Sequence, residues 1–197
     1  MTIATYSDLK TAIGNWTHRS ESDDRVAEFI ALAEAKLNRE LRVRQMETAL
    51  ASTALSSGLI TRPTDAVGFK ALWSDTDNYP PVEQKSLEFV LSHDSDGSVP
   101  RYYAWDRDYL HFDTSSGTVA GVYYTAIAAL TTTNTTNWLL TAHPDVYLMT
   151  ALAEFGRYSG HKNALQWIAE SKALMAELNA HDSKNRFSGN SLTVRVG

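Results

Sequence analysis

The chain has 197 residues, 43% hydrophobic and 21% charged, and 18 Lys and Arg against 23 Asp and Glu give a formal net charge of −5. These values suit one folded domain or a domain carrying an insertion, exclude global disorder and a collagen-like rod, and argue against a broad basic grip on nucleic acid. There is no cysteine, which excludes disulfides, thiolate catalysis, iron–sulfur clusters and Cys-based zinc sites.

The opening MTIATYSDLK lacks the basic-then-apolar layout of a signal peptide. It carries the first helix instead. Thr5 and Asp8 have capping-box spacing, and Leu9, Ala12, Ile13 and Trp16 form an apolar stripe. A second helix is predicted from about Asp24 to Arg42. Asp23 and Asp24 lie at its positive end, Val26, Phe29, Ile30, Ala33, Leu37 and Leu41 face inward, and Lys36 and Glu40 pair on the solvent side. Arg39, Arg42 and Arg44 crowd its far end, where cations suit the dipole or an intersubunit salt bridge.

After Gln45 the helical period gives way to short β-type runs. Glu47–Leu55 reads as a strand, Ser57-Gly58 as a turn, and Leu59–Arg62 as a run that Pro63 stops or places at an edge. Phe69–Trp73 is a further strand. Asp75–Asn78 is a turn, and Pro80-Pro81 forbids helix. Ser86 caps a short helix over Leu87–Leu91, and Asp94–Ser98 is a loop. Arg101–Trp105 and Tyr109–Phe112 flank the turn Asp106–Asp108 as a hairpin, with Val119–Ala126 as a third strand.

Thr131–Asn137 is a low-complexity loop, from which Trp138-Leu139-Leu140 returns to the core. Pro144 starts a third helix, Val146–Tyr158, that is apolar on nearly every side and ends at Ser159-Gly160. Such a helix needs cover from the β region, a neighbouring subunit or the chain's own loops. A fourth helix spans about Lys162–Ala180, with Leu165, Ile168, Met175 and Leu178 inward. Ser183–Asn190 is a polar spacer before Leu192, Val194 and Val196, which alternate with Thr193 and Arg195 as in a strand. A lone strand leaves its backbone groups unpaired, so this one is expected to add to a sheet edge in its own or another chain.

The predicted fold is α+β: an antiparallel bundle of about four helices with an inserted small antiparallel β subdomain and an extended C-terminal tail. The predicted divisions are 1–45 (helices one and two), 46–130 (β insertion), 131–182 (helices three and four) and 183–197 (tail).

No phosphate loop, nucleophile elbow or metal signature is present. Aligned on Gly97, a calcium loop would begin at Ser92 and end at Tyr103, neither of which supplies the carboxylates needed. His18, His93, His111, His143, His161 and His181 never pair at three or four residues' spacing. No enzyme activity, cofactor or membrane association is expected. Asp94 and Asp96, two apart in a loop, are the weak hydrolase alternative. Tyr102, Tyr103, Tyr109, Tyr123 and Tyr124 suggest either cross-strand packing or an aromatic platform for sugars.

The run Phe29–Arg42 (FIALAEAKLNRELR) resembles the second helix of head-to-tail adaptor proteins of tailed bacteriophages, the short-tailed ones in particular. Tyr6-Ser7-Asp8-Leu9, Asn137-Trp138-Leu139-Leu140 with Pro144-Asp145-Val146-Tyr147-Leu148, and Pro100–Tyr103 with Tyr109–Phe112 are similar to the same family, so that the resemblance runs from about Tyr6 to Phe187. It implies a virion structural protein at the head–tail interface, assembled in the host cytoplasm as a ring, expected to be a dodecamer. The ring would dock under the portal protein, carry the tail or nozzle protein, and extend a channel through which genomic DNA passes without specific binding. It implies no catalytic residue. On this basis Leu192, Val194 and Val196 are expected to face the portal, and Arg39, Arg42 and Arg44 to lie at intersubunit or channel contacts. The alternative is a tail-associated carbohydrate-binding module using the Tyr-rich sheet.

Overall fold

In the computed structural model, residues 2–18, 23–75, 80–93 and 97–187 are described. In chain order the elements are α1 (Tyr6–Thr17), α2 (Asp23–Glu40), a 3-10 turn (Arg44–Met46), β1 (Glu47–Ala54), β2 (Leu59–Thr61), β3 (Ala66–Ser74), β4 (Pro81–Gln84), α3 (Leu87–Ser92), β5 (Tyr102–Trp105), β6 (Tyr109–Phe112), β7 (Thr118–Thr125), α4 (Trp138–Ala142), α5 (Pro144–Ser159) and α6 (Ala164–Phe187). They fall into a helical unit, residues 1–45 with 127–197, and a β unit, residues 46–126.

In the helical unit the predicted capping box of α1 is closed. The Thr5 hydroxyl accepts the Asp8 amide at 3.2 Å, and Asp8 Oδ2 accepts the Thr5 amide at 3.0 Å. The Thr5 hydroxyl also donates to Asp8 Oδ2 at 2.8 Å, and this bond foremost, with those from the Ala4 and Thr5 amides, holds the Asp8 carboxyl below its ordinary pKa. Leu9, Ala12 and Ile13 are buried as expected, but Trp16 is 49% exposed. The inner stripe runs Leu9–Ile13–Thr17 at four-residue steps, which leaves Trp16 on its shoulder. On α2 the predicted inner positions Val26, Phe29, Ile30, Ala33 and Leu37 are all buried, as is Leu41 just beyond the helix.

The helix α5, apolar all round, is the centre of this unit. It packs against α1, α2, α4 and α6, so the chain's own helices cover it without a neighbouring subunit. Pro144 stands in its first turn and Gly160 ends it with φ 62°. Asn137 caps α4, its Oδ1 accepting the Leu140 amide at 2.9 Å. A Cβ on Gly156 would lie 2.9 Å from the Ala164 Cα, so this glycine lets the backbones of α5 and α6 come close. The helix α6 continues to Phe187, well beyond the predicted end at Ala180, so residues 183–187 are helix rather than spacer.

The β unit overturns the predicted fold class. It is no small antiparallel insertion but one seven-stranded mixed sheet in the order β1-β7-β3-β4-β5-β6-β2. Neighbours run antiparallel except β4 and β5, which pair in parallel through Glu83 with Tyr102 and Gln84 with Tyr103. The outermost strands, β1 and β2, are consecutive in the chain. Ser56 and Leu59 exchange both backbone bonds at 3.0 and 3.1 Å across Ser57-Gly58, whose φ angles of 52° and 74° make a type I′ turn. The sheet's two ends therefore meet, and it is nearly closed and barrel-like. The fold is a mixed α/β fold with this sheet and six helices among the described residues, not a helical bundle with a small β subdomain.

The interior of the barrel holds Ile60, Leu72, Val82, Tyr103, Leu110, Phe112 and Val119, with Leu50, Leu55, Phe69 and Trp105 against them. Phe69 is its aromatic hub, with ring centroids 5.6 Å from Trp105, 6.2 Å from Tyr123 and 6.3 Å from Tyr103. Pro81, which forbids helix, opens β4 instead and pairs with Trp73. A proline fits the first residue of a strand because its missing N–H removes little of the ladder. At the β5–β6 turn, hydrogen bonds from His111 and from the amides of Tyr109 and Asp108 hold the Asp106 carboxyl down at about 2.

Candidate interaction surface

The three arginines singled out in the sequence have different surroundings. Arg39, in the last turn of α2, is exposed. Arg42 donates its amide to Asn179 Oδ1 at 3.0 Å and its guanidinium to the carbonyls of Asn38 and Leu41 at 2.9 and 2.5 Å. Arg44 Nε reaches Asp182 Oδ1 at 2.9 Å, and Arg186 Nε reaches the other oxygen at 2.7 Å. Burial pushes the Asp182 carboxyl up, but the bonds from Arg44 and Arg186 outweigh it and hold the group below its ordinary value. Asn179 Nδ2 also donates to the Glu40 carbonyl at 3.0 Å. Arg42 and Arg44 thus tie the end of α2 to α6 within one chain.

Two buried charges escaped the sequence analysis. The sequence places Lys36 on the solvent side with Glu40, yet Lys36 is buried and donates to Ser171 Oγ at 3.3 Å. Ser171 Oγ also lies 3.0 Å from Thr150 Oγ1. Desolvation lowers the Lys36 pKa, against the opposing field of Glu154. Glu34 is also buried, and its Oε1 accepts the Tyr147 hydroxyl at 2.6 Å and the Leu130 amide at 2.7 Å. Burial raises the Glu34 pKa despite those bonds, and burial followed by the Glu34 bond raises that of Tyr147. A signal for Glu34 was available: Ile30, Glu34, Leu37 and Leu41 follow one another at steps of four, three and four, the spacing of an inner face.

The tyrosines do not form one platform. Tyr103 and Tyr123 are buried in the β unit, whereas Tyr109 is 43% exposed on the opposite strand alternation. Asp94 and Asp96 lie outside the described residues, as do Leu192, Val194 and Val196. Among the described residues no three His, Asp or Glu side chains are grouped to hold a metal, and no helix is long and apolar enough to cross a membrane.

What the surface offers is contact area. In the helical unit, Ile3, Trp16, Thr141, Pro144, Leu148 and Met149 line an open, apolar cleft of about 570 Å³. In the β unit, α3 exposes Leu87, Phe89 and Leu91, and Leu91 borders a pocket of about 220 Å³. Exposed apolar side chains grouped in this way are a common feature of interaction surfaces.

No curated protein matches the chain. The family described as SU10 adaptor protein matches residues 4–195, a span that takes in every element of both units. This match bears out the resemblance carried by Phe29–Arg42 and by the stretch from Asn137 to Leu148. The chain belongs to the SU10 adaptor protein family and is a phage head-to-tail adaptor.

Proposed function

We propose that this adaptor assembles as a ring, expected to contain twelve copies, between the portal protein and the tail or nozzle protein of the virion. It extends the channel along which genomic DNA passes, without gripping the duplex. The family match over residues 4–195 is the observation that carries this reading. The exposed apolar cleft at Trp16 and the exposed apolar side chains of α3 support it, since a ring subunit needs surface to contact its neighbours.

Within this reading Leu192, Val194 and Val196 add as a strand to the portal, and Arg39, Arg42 and Arg44 lie at subunit or channel contacts. Of the three, Arg39 is the clean probe, because changing Arg42 or Arg44 also loosens the tie to α6. Native mass measurement of the purified chain, alone and mixed with portal rings, tests the assembly. A discrete complex with portal is expected. Deleting residues 188–197 should abolish that complex and leave the melting temperature unchanged, while Arg39→Glu should lower the ring's stability. A truncated chain that still docks would remove the role given to the tail.

A further inference from the structure

Arg62 follows β2 and is partly buried. Its Nε donates to the Arg107 carbonyl at 2.9 Å, its Nη1 to the Ala66 carbonyl at 2.8 Å, and its backbone amide to the Asp108 carbonyl at 2.9 Å. The guanidinium also lies over the Trp105 ring, 5.6 Å from the centroid. These contacts hold it between the β5–β6 turn and the start of β3, but none of them brings a negative charge. Its Nη2 makes no hydrogen bond among the described residues, and no carboxylate there lies within ion-pair distance of it. The other cations of the β unit differ. Lys70 and Lys85 meet Glu47 and Glu83 at 2.8 and 2.9 Å, and Arg101 is exposed. Asp106, in the same turn as Arg107, is engaged by His111 Nε2 at 2.8 Å and by the amides of Asp108 and Tyr109 at 2.8 and 2.7 Å. A guanidinium held in place without a counterion is poised for an incoming carboxylate, because its ordering has already been met by the fold.

Arg62 lines a pocket of about 400 Å³ with Thr61, Thr64, Arg107, Asp108 and Tyr109. These side chains carry two positive charges and one negative charge, and their three hydroxyls can each donate to an anion. Thr61, Thr64 and Arg107 are exposed and Tyr109 is 43% exposed, so the pocket is reached from solvent. Arg107 Nε stands 3.8 Å from Asp108 with both side chains in water, a loose pair that a new partner can displace.

The lining is polar, unlike the apolar walls of a small-molecule pocket, and Arg and Tyr are the residues that anchor protein contacts. A planar carboxylate matches the guanidinium fork. A run of phosphates fits less well, because Asp106 and Asp108 flank Arg107 in the turn and repel it. We infer that the Arg62 pocket binds a carboxylate presented by an aspartate or glutamate side chain of a contacting protein. This goes beyond the ring assembly proposed above and does not depend on it.

The test is an NMR titration of the full-length, ¹⁵N-labelled chain with N-acetyl-glutamate methylamide at low salt, with dimethyl phosphate and sodium chloride at matched ionic strength as separate arms. The carboxylate probe should shift the amides of Thr61, Arg62, Thr64 and Tyr109 saturably, with half-saturation at about 1–10 mM. Dimethyl phosphate should bind more weakly, and chloride should give no saturable shift. Arg62→Gln removes the charge and should weaken the probe about tenfold or more. Because Arg62 also braces the turn, Thr64→Glu gives a second reading. At an exposed lining position it supplies a carboxylate from the chain itself, so it should abolish the shift while melting within about 2 °C of the parent. No carboxylate-dependent shift beyond that of chloride, equal titration of the parent and either folded variant, or dimethyl phosphate binding as tightly as the carboxylate would each overturn the proposal.

Discussion

Glu34 is held by two donors on one oxygen, the Tyr147 hydroxyl and the Leu130 amide, and pairs with no cation among the described residues. Burial raises its folded pKa above the unfolded value. Its contribution to stability is therefore fully present below the unfolded carboxylate range and is lost as pH rises through the folded pKa. Glu34→Gln retains an acceptor for both the Tyr147 hydroxyl and the Leu130 amide and does not titrate. It should be more stable than the parent by roughly 1 kcal/mol at pH 7, with the gap closing toward pH 4.5. Glu34→Leu leaves the Leu130 amide unpaired and should cost about 2 kcal/mol. Urea unfolding of the three proteins at both pH values checks the sign, and a gap that widens on acidification would refute it. Ser57 has φ 52°, a conformation that Asn tolerates better than Ser. Ser57→Asn should raise stability by roughly 0.5 kcal/mol, read as a higher urea midpoint at unchanged slope.

Between elements, α5 and α6 come close together at Gly156. A methyl group at Gly156 would lie 2.9 Å from backbone at Ala164 and 3.2 Å from the Trp167 ring. Gly156→Ala should therefore cost about 1–3 kcal/mol, despite the better helix propensity of alanine, and a stabilised variant would show that α6 can slide. The same interface explains the misplaced face of α6. The sequence puts Leu165 inward, yet it is 82% exposed, while Trp167 is buried. Ser171 and Asp182 occupy inner positions because Lys36 and Thr150 satisfy one and Arg44 and Arg186 the other. Apolar periodicity cannot find a face whose key residues are polar.

For the whole molecule, charge is unevenly divided: segment 46–126 holds five basic and eleven acidic residues, a net of −6, and the rest of the chain thirteen and twelve, a net of +1. Duplex DNA should meet no broad attraction. Fluorescence anisotropy of a labelled duplex should stay flat up to about 10 μM protein at 0.15 M salt, given that nonspecific binders reach 10⁻⁴–10⁻⁶ M under such conditions. Saturable binding in that range would count against a channel that lets DNA slide.

The parts set by neighbours in the chain were readable from residues alone: the Thr5–Asp8 box, the Ser86 cap on α3, the proline start of α5, and the inner stripe of α2. So was the family, through runs that keep their order along the chain. The barrel was not readable. Its closure rests on β2 pairing with β6 through Leu59 with His111, on the two-residue parallel contact of β4 with β5, and on the return of β1 to β2. Strands of three or four residues carry too little periodicity to announce themselves. The burial of Lys36 likewise depends on a partner far away in sequence. Local chemistry decides caps, turns and stripes because its partners lie within a few residues. Sheet order and the environment of a buried charge arise only when distant segments meet, and no window of sequence contains that meeting.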